Sequence, residues 1–339
     1  MKLKKVLLIG SGLIGLTSCV GGGGSSVTST DTQTTDTTSS LPVSKTIELL
    51  PDNHFENGFI AYPGTRAHLD GSYPSNDWNA NVYLKYDENT PNPSWQLQQI
   101  GCINDLNDIY NPMTKKMPDY EAPYYKFEGV SNYVYVDPND GEIILGLNAS
   151  KDYDAPRQSG DWCHLLLQNV LTQSVKVSEL ESLKFTIDLE LEVERKMTDE
   201  EYNPSIHTAQ FLAYFIVQSN ATLDAGDYFW FGVPFYDYRY KEIDESIMID
   251  NRSQMPLYQM SNRGIYDGGF ELGREYNIEL DLIDLFADAL LACQNEEQRL
   301  TNTTIDDLSI TSMNIGWELP GTFDVQAKFS NFSLMGTYL

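Results

Sequence analysis

Hydrophobic and polar residues alternate with a period of two along much of the chain. The longest clean run is Phe185-Thr-Ile-Asp-Leu-Glu-Leu-Glu-Val-Glu194. Phe185, Ile187, Leu189, Leu191 and Val193 fall on one face, and Asp188, Glu190, Glu192 and Glu194 on the other, as in a half-buried antiparallel strand. His207 to Gln218 is apolar on both faces and predicts a central strand. Tyr133 to Asn148 divides about Asp137-Pro-Asn-Asp-Gly141 into the two strands of a hairpin. Residues 228–240 and 324–334 predict further strands. Helical spacing occurs convincingly once: Leu282, Leu285, Phe286, Ala289, Leu290 and Cys293 recur at i, i+3, i+4 and i+7, predicting an amphipathic helix near 281–299. The Pro/Asn/Asp-rich stretch 87–123 reads as long loops. Many strands and one helix predict an all-β fold: an antiparallel β-sandwich of the jelly-roll type, one domain over 43–339.

The N-terminus breaks this pattern. Lys2, Lys4 and Lys5 precede the apolar run Val6 to Leu16, which is shorter than the roughly 20 residues a spanning helix needs. A cleaved export signal fits it better. The run ends in Leu16-Thr-Ser-Cys19, which resembles the lipobox of bacterial lipoproteins. That resemblance implies a signal peptide over 1–18, lipid (palmitate-type) modification at Cys19, and anchoring in the cell envelope outside the cytoplasm. Residues 19–42 are rich in Gly, Ser and Thr and read as a flexible tether.

Charge sharpens this picture. The 339 residues carry 22 Lys+Arg against 49 Asp+Glu, a net −27, and loss of the signal's three lysines takes the rest to −30. Such a body is repelled by phosphate backbones and by anionic lipid, which excludes nucleic-acid binding through a basic groove and favours a covalent anchor. The four histidines, at 54, 68, 164 and 207, are scattered, so no metal site and no cofactor is expected. The Asp/Asn loop Asp137–Glu142 leaves room for a structural calcium but lacks EF-hand spacing. Of the remaining cysteines Cys102, Cys163 and Cys293, an exported protein could pair two in one disulfide and leave one thiol; Cys163 and Cys293 sit at apolar positions and read instead as buried small hydrophobes.

Ser309-Ile-Thr-Ser-Met-Asn-Ile-Gly-Trp-Glu318 and Phe323-Asp-Val-Gln-Ala-Lys-Phe-Ser-Asn-Phe-Ser-Leu334 resemble the closing strands of concanavalin-like and galactose-binding-like jelly rolls. The resemblance implies a sandwich with a sugar-handling surface. Jelly-roll glucanases carry an E-x-D-x-x-E strand, which the D-x-E-x-E-x-E of 188–194 does not match. Tyr228, Gly232 and Tyr236 loosely resemble a strand of jelly-roll alginate lyases whose lysine is missing here. The aromatic segment Tyr228 to Tyr240 is distinctive. Tyr236, Tyr238 and Tyr240 are expected on one face as a stacking row, with Asp237 and Arg239 paired on the other. Trp162 and His164 share a face of the next strand candidate. Ligand contact is therefore expected from Trp162, His164, Trp230, Tyr236, Asp237, Tyr238, Arg239 and Trp317. Glycan binding is the leading expectation; a glycoside hydrolase or polysaccharide lyase on the same surface, or a structural or adhesive surface protein, are the alternatives.

Overall fold

The computed structural model describes residues 45–64, 81–158, 162–251, 253–266 and 268–339. Cys19, the signal segment 1–18 and the tether 19–42 lie outside them. The described strands form two sheets. The larger runs, in spatial order, through β13 (Ser246–Ile249), β14 (Pro256–Gln259), β12 (Tyr228–Asp237), β11 (Gln210–Ser219), β16 (Leu308–Leu319), β9 (Cys163–Lys176), β4 (Trp95–Gln98), β2 (Phe59–Tyr62) and β3 (Val82–Leu84). The smaller runs through β15 (Glu275–Asp281), β10 (Leu180–Lys196), β17 (Phe323–Tyr338), β8 (Glu142–Asn148), β7 (Asn132–Asp137), β6 (Tyr124–Glu128) and β5 (Asp119–Glu121), with β1 (Lys45–Glu48) also on β17. Pairing is antiparallel except for β2–β4 and β12–β14. The architecture is the expected sandwich.

Alternation along each strand builds the core between the sheets. Phe211, Phe215, Phe229, Phe231, Phe235 and Trp317 of the larger sheet meet Phe185, Phe329, Phe332 and Leu145 of the smaller. Phe185 and Phe215 pair edge-on across the sheets at 5.5 Å, and Phe211 and Trp317 pair edge-on within the larger sheet at 5.0 Å. The helix α1 (Leu282–Glu296) starts where the Asp281 carboxylate accepts the Ile283 amide, an N-cap that satisfies an orphan donor. Its buried stripe Leu282, Phe286, Ala289, Leu290 and Cys293 packs on the sandwich, with Phe286 edge-on to Phe215 and Phe231.

Three expectations need correction. The 87–123 stretch carries strands as well as loops: β4 and β5 lie within it, and Trp95 is fully buried with its indole donating to the carbonyls of Pro51 and Asp52. The outward acidic face also ends sooner than alternation suggests. A register shift falls between Leu191, opposite Ala327, and Val193, opposite Gln326. One extra residue reverses the in/out phase of all that follows. Glu194 therefore sits opposite the core residue Val325 and turns inward, where its carboxylate accepts the Tyr236 hydroxyl at 2.8 Å. Asp188 and Glu190, before the shift, keep outward partners in Asn277 and Lys328. The tyrosine row fails for a similar reason. The β11–β12 pairing slips between Phe211 and Leu212, β12 ends at Asp237, and Tyr240 folds back to bridge Asp237. Tyr236, Tyr238 and Tyr240 therefore do not line one flat strand face.

Candidate functional site

The strand registers of the larger sheet align residues in rows that run across its outer face, perpendicular to the strands. One row passes from Gln259 through Gly232, Tyr214, Asn314, Gln168, Gln96 and Ile60 to Tyr83. At about 4.8 Å per strand, it spans roughly 34 Å. The Tyr214 ring lies over Gly232, where a Cβ would come within 2.6 Å of it, so only glycine leaves the ring flat on the sheet. Trp230 stands edge-on to Tyr214 and to Tyr228, at 6.1 and 6.0 Å, and with Leu212 and Leu257 makes a small apolar cluster on this face, separate from the core. In this row Gln259 Oε1, Asn314 Oδ1 and Gln168 Oε1 are buried and have no hydrogen-bond partner. Each such group costs about 1–3 kcal/mol when left unmade.

A second row, at the other end of the same strands, is charged: Asp237, Gln210, Glu318 and His164 stand on neighbouring strands in that order. All four are buried. His164 Nδ1 faces two carbonyls, Trp162 O at 2.7 Å and Ile100 O at 3.3 Å, so it carries the ring proton. Nε2 lies 3.7 Å from Glu318 Oε2, beyond hydrogen-bond distance, and has no hydrogen-bond partner. A ligand hydroxyl could bridge that gap. Asp237 is held harder. Arg239 grips it with Nε at 3.0 Å and Nη2 at 2.7 Å, while Thr208 and Gln210 donate at 2.6 and 2.8 Å.

Beyond Asp237 the strand end opens into a cleft of about 200 Å³ lined by Glu194, Phe235, Tyr236, Asp237, Tyr238, Arg239, Tyr240, Lys241 and Phe270. Burial pushes the Tyr236 hydroxyl far above the ordinary tyrosine range, reinforced by the Glu194 carboxylate that it donates to. It is thus a fixed hydrogen-bond donor rather than an acid. Lys196 lies over the Tyr202 and Tyr238 rings at 4.5 and 5.7 Å, and Arg239 over Tyr240 at 5.1 Å.

The structure gathers Tyr236, Asp237, Tyr238 and Arg239 at this cleft, and Trp162 and His164 at the opposite end of the charged row. The Trp162 indole N–H is buried and unpartnered, and its ring stacks on His164 at 6.1 Å. Trp230 is on the same outer face but at its apolar end. Trp317 is different: it is fully buried between the sheets, its N–H bound to Leu145 O, so it is a core residue with no surface to offer. Sequence reasoning passed over Gln168, Gln210, Tyr214, Asn314 and Glu318. A signal existed, because Ser312, Asn314, Gly316 and Glu318 alternate with buried Met313, Ile315 and Trp317. At Asp137–Glu142 the Asp137 carboxylate caps its own turn, accepting the Asn139 amide at 3.0 Å.

No family model matches the chain, and no curated protein matches it. Among solved structures it is similar to endoglucanase cel12A from Rhodothermus marinus, at 10% identity and TM-score 0.37, over 64% of this chain and 92% of that one. A native family 12 xyloglucanase from Bacillus licheniformis aligns at 8% identity and TM-score 0.38 over 71% of this chain and 99% of that one. Endoglucanase 3 of Trichoderma harzianum, family GH12, aligns at 13% and TM-score 0.33 over 65% and 100%. Likeness this distant assigns no residue role and no activity.

Proposed function

We propose that the chain is an exported lipoprotein, held at a membrane through Cys19, whose larger sheet binds a glycan across its outer face. One observation carries the glycan reading: the buried, unpartnered polar atoms of Gln259, Asn314, Gln168, His164 and Trp162 on that single face. A polyhydroxylated chain supplies donors and acceptors at that density, and its apolar ring faces can pack on Tyr214 and Trp230. The net charge of −27 disfavours polyuronates and points to neutral glycans. Affinity electrophoresis and calorimetry against a panel of neutral and acidic polysaccharides test this. Neutral glycans should bind, with weaker binding by Asn314→Ala and Trp230→Ala. No retention by any polysaccharide overturns the reading. Retention of membrane partitioning by a Cys19→Ala variant would overturn the anchor.

A second reading, cleavage of the bound glycan, is supported by the charged row. Glu318 and Asp237 stand on the same face with one strand between them, so their backbones are about 9.5 Å apart, near the upper end of carboxyl separations in inverting glycosidases. Glu318 would be the acid, and the Arg239-bound Asp237 the carboxylate that activates water. Reducing-end assays on each bound glycan decide it: release of sugar abolished by Glu318→Gln with binding kept supports cleavage, and binding without release refutes it.

A further inference from the structure

The cleft at Glu194 and the apolar Trp230 cluster belong to or adjoin the glycan face already described. A buried sulfur pair lies apart from it. Cys102 follows β4 in the loop, and Cys163 opens β9. Their backbones are pressed together: His164 N donates to Ile100 O at 2.7 Å, and Gly101 adopts φ +75° where a Cβ would lie 1.9 Å from Trp162 O. Only glycine permits that approach. The two Sγ atoms and an Asp152 carboxylate oxygen lie within 4.8 Å of one another, and both cysteines are buried. Each thiol reaches across to the other's segment, Cys102 Sγ to His164 O at 3.4 Å and Cys163 Sγ to Gly101 O at 3.7 Å.

We propose that Cys102 and Cys163 are joined by a disulfide in the exported protein, pinning the β4 loop to the start of the strand that carries His164. The inference rests on export, because disulfides persist in oxidising compartments. Chemically, one thiol reduces a disulfide oxidant (a thiol–disulfide oxidoreductase, or oxidised glutathione) to give a mixed disulfide and one released thiol. The second cysteine, as thiolate, then attacks the mixed disulfide, forming the Cys102–Cys163 bond and expelling the oxidant's second sulfur as a thiol. Two electrons pass to the oxidant, and the two cysteine protons end on its thiols. Burial implies that the bond closes during folding, before the core seals. A metal at the same place is disfavoured. Asp152 is already engaged by the Ile103 and Asn104 amides at 3.0 and 3.1 Å, which leaves its carboxylate poorly placed to serve as a ligand.

The test is peptide mapping of the full chain after alkylation in denaturant without reductant. A Cys102–Cys163 linked peptide is expected in exported protein, lost on reduction, while Cys293 is alkylated as a free thiol. Thermal unfolding should drop by about 5 °C on reduction, as in Cys102→Ser and Cys163→Ser, with the double variant no worse than either. A parallel arm refolds reduced protein in a glutathione redox buffer. Linkage there but not in protein from cells would count against export while sustaining the pair. Alkylation of both cysteines in both arms, or one equivalent of zinc by elemental analysis, would overturn the disulfide.

Discussion

The Asp237–Arg239 pair offers the sharpest perturbation, because the site and the fold both depend on it. The two side chains are 3% and 6% exposed, so water screens them little. The carboxylate receives five donors: Arg239 Nε and Nη2, the Arg239 backbone amide at 2.9 Å, Thr208 Oγ1 and Gln210 Nε2. Arg239→Met keeps the aliphatic stem and the backbone donor but removes two donors and the balancing charge. Stranding a buried charge in this way costs about 3–5 kcal/mol, and the three surviving donors place the loss near the lower end, about 3 kcal/mol. Urea denaturation at neutral pH, extrapolated to water, measures it. Asp237→Asn combined with Arg239→Met should recover part of the loss, giving a coupling of more than about 1 kcal/mol in the double-mutant cycle. A loss below about 1 kcal/mol for Arg239→Met would mean the pair behaves as a solvated surface ion pair, and the argument for a buried, rigid end to the charged row would fail.

Other perturbations follow from the same geometry. Gln168→Met removes a buried amide whose oxygen has no partner, so it should raise stability by about 1 kcal/mol while weakening glycan binding, a reversal of sign that calorimetry and denaturation together can read. Phe286→Ala empties the contact between α1 and both Phe215 and Phe231, and should cost about 3–5 kcal/mol with glycan affinity unchanged. The Asp105 carboxyl is pushed up to about 6 by burial, against the opposing hydrogen bond from the Gly64 amide. Between roughly pH 4 and 6 the folded state holds a proton that the unfolded chain has lost, so this group's contribution falls as pH rises through that window and is level above it. Asp105→Asn should therefore flatten the stability–pH curve by about 2 kcal/mol across the same window, as followed by urea midpoints at each pH.

What was legible in the sequence, and what was not, divides along a physical line. Strand identity and the one α-helix among the described residues follow from periodicity, which is a property of neighbours in the chain. The hairpin about Asp137–Gly141 and the start of the helix near Asp281 are equally local, and both form where the residues suggest. Phase is not local. The shift at Leu191/Val193 adds one residue against β17, and nothing within Phe185–Glu194 marks it, so Glu194 reads as solvent-facing yet turns in to Tyr236. The site was hidden for the same reason. Its members, Gln259, Tyr214, Asn314 and Gln168, come from four strands spread from residue 168 to residue 314, and only strand order and register align them. Composition also misled at Trp317. A tryptophan beside a glutamate in a polar-looking strand suggests a sugar contact, but alternation within Ser312–Glu318 puts the ring inside and the carboxylate outside. Glu318, not Trp317, is the residue that strand places on the outer face, where it is buried beside His164.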